Sequence, residues 1–140
     1  MNNKWLVAIL FITFSSSSLG EDRKLIDLFN DQVDAFNKKD IKRLVNNVSE
    51  DFIWFSITSN ELLIETKDKA SFKMAMENYY KNKNRNSFSK IEGYTIDGDR
   101  ISFKEVVSHR NKKGELVESS AMGVYEMKNN RIFRAWYFVD

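Results

Sequence analysis

RISFKEVVSHR at residues 100–110, ELVESSAMGVYEMK at 115–128 and RIFRAWYFVD at 131–140 are three β-rich runs separated only by turn residues. Val, Ile, Phe, Tyr and Trp recur in them with alternation, as a half-buried pleated surface requires. Asn111-Lys112-Lys113-Gly114 and Asn129-Asn130 are the intervening turns, because Asn and Gly tolerate positive φ. Upstream, Ser87 to Ile96 leads into Asp97-Gly98, a tight-turn signal. Residues 87–139 therefore predict an antiparallel meander of about four strands.

The turns also suggest a register. Pairing 110 with 115, and 128 with 131, puts Ile101, Phe103, Glu105, Val107 and His109 on one face. Leu116, Glu118, Ser120, Met122 and Val124 join them, then Phe133, Ala135, Tyr137 and Val139. The opposite face holds Ala121, Gly123, Tyr125, Ile132, Trp136 and Phe138. The first face is the more apolar in its first strand, so it is expected to look inward. A slip of one residue exchanges the faces.

Working back from the meander, the signals turn helical. Leu25, Phe29, Gln32, Val33 and Phe36 recur at helical spacing over Glu21–Lys38. Asp40 caps a short second helix carrying Ile41, Leu44 and Val45. Asp51–Ile57 (DFIWFSI) reads as a strand, and Leu62–Ile64 as a short one. Asp68–Lys81 is helical again, with Phe72, Met76, Tyr79 and Tyr80 on one side. Helices, a strand, a helix and a meander predict an α+β fold, a curved antiparallel sheet packed against helices.

Composition narrows the chemistry. The chain has 140 residues, 22 Lys plus Arg, 20 Asp plus Glu, one His and no Cys. Without Cys there are no disulfides, thiolate nucleophiles or zinc ribbons, and one His excludes His-pair zinc motifs. A net charge of +2 argues against nucleic acid as a partner. No metal or cofactor is expected. Residues 1–20 read as a secretory signal peptide. Lys4 precedes the apolar run WLVAILFITF at 5–14, and Ser18-Leu19-Gly20 suits a cut before Glu21. The run is shorter than the about 20 residues that span a bilayer, so no stable anchor is expected after cleavage. The expected product is one domain, residues 21–140, periplasmic or secreted.

Three stretches resemble the nuclear transport factor 2-like superfamily, in its SnoaL-like and ketosteroid-isomerase-like branches. Phe36-Asn37-Lys38-Lys39-Asp40-Ile41 is similar to the junction between its first two helices. Ser49-Glu50-Asp51-Phe52 is similar to the entry to its first strand. Val124 to Ile132, followed by Trp136 to Asp140, is similar to its last hairpin. The resemblance implies a cone-shaped sheet wrapped around the N-terminal helices, a pocket at the wide end, and often a dimer. It also implies where isomerase chemistry would sit. The general-base position falls on Ser56, the oxyanion Tyr position on Gln32, and the acid position on Val124, with Gly123 and Tyr125 as neighbours. None of Ser56, Gln32 and Val124 can fill its role. The dehydratase branch resembles a His–Asp arrangement to which His109 does not map.

The remaining residues define three functional readings. Gln32, Trp54, Ser56, Tyr79, Tyr80, Glu105, Ser120, Met122 and Tyr137 are expected to line a pocket for a small, largely apolar ligand. Alternatively, Glu105, with a pKa raised by burial, serves as an acid–base group in an isomerase, dehydratase or hydrolase. His109 lies about 13 Å further along the strand at roughly 3.3 Å per residue, so only a substrate could bridge the two. In the third reading the pocket is filled, and Tyr125, Trp136 and Phe138 form a homodimer face.

Overall fold

The computed structural model describes residues 17–81 and 86–139. Its elements are α1 (Ser17–Asn37), α2 (Ile41–Asn46), β1 (Val48–Ile57), β2 (Leu62–Thr66), α3 (Lys69–Lys81), β3 (Phe88–Asp97), β4 (Arg100–Arg110), β5 (Leu116–Lys128) and β6 (Arg131–Phe138). The apolar run at 5–14 lies outside the described residues. Among the described residues no helix is long and apolar enough to cross a membrane.

Local chemistry sets the helices. Leu25, Phe29, Gln32 and Ala35 are the buried side of α1. Lys39 takes a positive φ of 56°, and Asp40 N–H returns to Ala35 O at 2.9 Å, so α1 stops there. The Asp40 carboxylate then accepts from Arg43 N–H at 3.1 Å and starts α2. Asp68 caps α3 by accepting from Ser71 N–H at 2.7 Å, and Ser71 Oγ accepts from Asp68 N–H at 3.1 Å. Arg43 ties α2 to α1 by donating to Asp31 and to Asp34, the latter at 2.9 Å. Hydrogen bonds from Arg43 and Asn47 hold the Asp31 carboxyl below the usual carboxylate range.

The sheet has six strands in the order β2-β1-β6-β5-β4-β3. All neighbours are antiparallel except β1 and β6, which run parallel. Register shifts at Trp54/Phe55, Ile91/Gly93 and Glu126/Met127 mark bulges, which bend and twist a sheet. The concave side packs on α1. Phe29 meets Phe103 at 4.9 Å and Tyr125 at 5.9 Å between ring centres. Val48, Leu44, Ile101 and Ile132 complete the sealed core.

Two pairings differ from the sequence expectation. Arg110 pairs with Leu116, one residue beyond the expected partner. The reason is the turn: Asn111 Oδ1 accepts from both Lys113 N–H and Glu115 N–H, which draws Glu115 into the loop. The faces of β5 are therefore exchanged. Tyr125, expected on a dimer face, is 8% exposed in the core, while Met122, expected in the pocket, is 51% exposed on the opposite side. The second turn pairs Lys128 with Arg131 as expected, but the bulge then shifts Tyr125 opposite Ala135. This second offset cancels the first, so Ala135 and Tyr137 still face inward. At the turn side of the bulge, Ile132 is buried instead of Phe133, whose ring lies under the Arg134 guanidinium at 3.6 Å.

Gly123 lies opposite Phe103, and a Cβ there would overlap the Phe103 ring. That ring is held between Phe29 and Tyr125 and cannot swing away. Gly123→Ala is expected to cost about 1–3 kcal/mol in urea denaturation, as overpacking does. Gly93→Ala, with nothing within 4 Å of the added Cβ, should stay within about 0.5 kcal/mol of wild type.

Candidate functional site

Beyond Phe103 and Gly123 the inner face of the sheet changes to small residues, namely Ser56, Ser119, Ala121 and Ala135. The space they leave is a cavity of about 630 Å³. Val33 and Phe36 of α1, Leu44 of α2, and Phe72, Met76 and Tyr79 of α3 form its helical wall. Phe52 and Trp54 of β1, Val107 of β4 and Tyr137 of β6 form much of the sheet wall.

One polar cluster interrupts this apolar lining. Glu105 of β4 receives hydrogen bonds from Ser89 Oγ of β3 and from the Tyr137 hydroxyl of β6. The Tyr137 and Tyr125 hydroxyls are 2.8 Å apart. Ser89 is itself fixed by Asn37 at the end of α1: its N–H donates to Asn37 Oδ1 at 2.7 Å, and its carbonyl accepts from Asn37 Nδ2 at 2.9 Å. Burial pushes the Glu105 carboxyl above the usual range, and the two incoming hydrogen bonds only partly oppose it. Burial likewise raises Tyr125 and Tyr137, and the nearby Glu105 charge adds to both shifts. Such a cluster can donate to, or accept from, a polar atom of a bound molecule and can hold or release one proton.

The structure brings together Gln32, Trp54, Ser56, Tyr79, Glu105 and Tyr137 on the cavity wall. Ser120 borders the cavity but is exposed. Met122 does not line it. Tyr80 does not line it either; its hydroxyl donates to Phe36 O at 2.9 Å, which turns it into the helix contact. His109 pairs with Val117 and is not part of the wall, so it does not join Glu105. Two further residues belong to the site: Ser89, which no sequence signal marks, and Tyr125, which the resemblance names only as a neighbour of the acid position. Tyr125 was hidden by the register offset, and Ser89 lies on a strand whose pairing the turns at 111–114 and 129–130 do not define.

Sequence and structure comparisons separate here. No protein-family model matches the sequence, and no curated protein matches it. Solved structures do. An LEH-like epoxide hydrolase of M. tuberculosis superposes with a TM-score of 0.70 at 13% identity, covering 84% of each chain. An NTF2-like protein of unknown function from Cytophaga hutchinsonii gives a TM-score of 0.62 at 13% identity, over 83% of this chain and 89% of that one. The chain has the NTF2-like fold. A SnoaL-like protein from Jannaschia sp., described as a polyketide cyclase, shares the fold with a TM-score of 0.67 at 11% identity, over 84% of this chain and 86% of that one.

Within the NTF2-like fold, the three isomerase positions named above separate. Ser56 and Gln32 face the cavity without an acidic group, whereas Val124 lies on the outer face of β5. Its neighbour Tyr125 takes the inward place. The cavity's one carboxyl among the described residues, Glu105, stands on a different strand.

Glu105 gives this site a pH signature. A carboxyl raised on folding contributes its full stability below its unfolded pKa, and that contribution is lost as pH rises through the folded value. Glu105→Gln carries no such charge. The Tm of the Gln variant relative to wild type is expected to climb as pH rises above about 4, the range in which the unfolded carboxyl titrates, which thermal denaturation across a pH series checks.

Proposed function

We propose that this protein binds a small, largely apolar molecule in the cone-shaped cavity, with the molecule's polar group at Glu105, Tyr137 and Tyr125. The observation that carries this reading is a cavity of about 630 Å³ with a mainly apolar wall and one convergent polar cluster. Ligand sites typically enclose about 300–1,000 Å³ with such a lining. An uncharged fluorescent probe, N-phenyl-1-naphthylamine, is expected to brighten on binding. Ala121→Trp, which fills the cavity beside Glu105, should weaken that binding at least about tenfold. No binding by the folded wild-type protein would remove the reading.

One observation favours a second reading, acid–base catalysis. Glu105 is partly buried on the cavity wall and its carboxyl is shifted upward, as suits a proton-transfer group. The polyketide cyclase and epoxide hydrolase names attached to its structural neighbours are compatible with this. Turnover that survives Glu105→Gln would exclude Glu105 from any mechanism.

Export and self-association complete the proposal. The apolar run at 5–14 supports a cleaved leader and a periplasmic or secreted domain. The outer face of the sheet supports a homodimer. Phe55 and Trp136 stack there at 5.8 Å with planes 10° apart, and Phe138 is 47% exposed beside Met122. Ile64 and Leu62 extend these rows across β2. Light scattering is expected to give the mass of a dimer, and Trp136→Glu that of a monomer.

A further inference from the structure

The cavity wall holds one carboxyl and, among the described residues, no Lys, Arg or His. Glu105 forms none of the ion pairs found among the described residues. Both of its hydrogen-bond partners, Ser89 and Tyr137, are hydroxyls that donate to it. Tyr137 can in turn accept from Tyr125 at 2.8 Å. Donors directed at a carboxyl favour its charged form. These donors offset part of the cost of a carboxylate that burial otherwise disfavours, yet no cation among the described residues stands against it. A carboxyl in such a place either stays protonated or takes a counter-charge.

The rest of the wall suits that counter-charge. Tyr137 packs edge-on against Trp54 at 6.1 Å and Tyr125 at 6.2 Å, so three rings cluster around the Glu105 end. Ring faces attract ammonium groups, Trp most strongly. Organic anions find no cation on this wall among the described residues.

We infer that the cavity selects an apolar molecule carrying one ammonium group, seated on Glu105 among Trp54, Tyr125 and Tyr137, and that it rejects organic anions. This rests on the ligand-binding reading above and names its ligand class. The titratable groups facing Glu105 are Tyr125 from β5 and Tyr137 from β6, both held in their protonated forms by burial; Tyr79 of α3 lines the same cavity. Burial also favours a protonated Glu105 when no cation is bound. An ammonium that enters such a site converts the acid to a carboxylate and sends its proton to solvent. One O–H bond breaks, and the ammonium keeps its own protons.

The test is calorimetric titration of the whole protein near pH ~7 with three probes on one ring system: 2-naphthylmethylamine, 2-naphthalenemethanol and 2-naphthoate. The amine is expected to bind at least about tenfold more tightly than the alcohol, and the naphthoate not to bind. Titrating the amine in two buffers of different ionisation enthalpy should reveal proton release. Glu105→Gln should bring the amine-to-alcohol affinity ratio close to one. An alcohol that binds as well as the amine, or a naphthoate that binds as tightly, overturns this inference and leaves the cavity as a ligand site. Failure of all three probes overturns the ligand-binding reading as well. The wild-type comparison decides the matter even if the Gln variant does not fold.

Discussion

The two hydrogen bonds between Asn37 and Ser89 join the end of α1 to β3, the edge strand farthest from β2. They act across 52 residues of sequence and fix both the donor and the acceptor of one strand residue. With Ser89 held, its hydroxyl is aimed at Glu105, and Glu105 in turn receives Tyr137. The curved sheet is thus coupled to the helix through a polar bracket that ends inside the cavity. An amide is well suited to that place, because Asn offers an acceptor and two donors on one short side chain. Loss of the bracket would loosen the edge of the cone and the orientation of its carboxyl together.

The other determinant is side-chain size along the inner face. Near the closed end, Phe29, Phe103 and Tyr125 fill the space, and Gly123 is needed so that Phe103 can lie flat against β5. Toward the open end the corresponding positions are Ala121, Ser119 and Ser56. The same alternation of the pleat continues, but the volume shrinks and the cone is left hollow. The cavity follows from residue choice on an otherwise regular sheet. Interiors elsewhere are close-packed, so a gap of this size requires such a run of small side chains.

Much of this was legible in the sequence. The helical spacing of Leu25, Phe29, Gln32 and Phe36, the Asp40 cap and the three β-rich runs define the elements and their order. Gln32, Trp54, Ser56, Glu105 and Tyr137 lie on the cavity wall. The exchanged faces have one source. A five-residue loop at 111–115 and a bulge at Glu126/Met127 each add one residue, and a period of two turns each addition into an exchange of faces. Tyr125 and Met122 changed sides for that reason, while Ala135 and Tyr137 crossed twice and returned. Neither Asn111's double acceptance nor a bulge has a strong local signature. Ser89 was invisible because its role depends on Asn37, a contact made only after the chain has folded back on itself.

The parallel pairing of β1 with β6 has a temporal consequence. Arg131 and Arg134 donate to Asn46 O and Asp51 O, closing contacts across 85 and 83 residues. β1 emerges early from the ribosome, yet one of its two edges stays unpaired until β6 arrives. Contacts so distant in sequence slow the search for the native state. During synthesis the half-made sheet exposes Phe55 and Ile57, side chains that later sit beside Trp136 and Phe138.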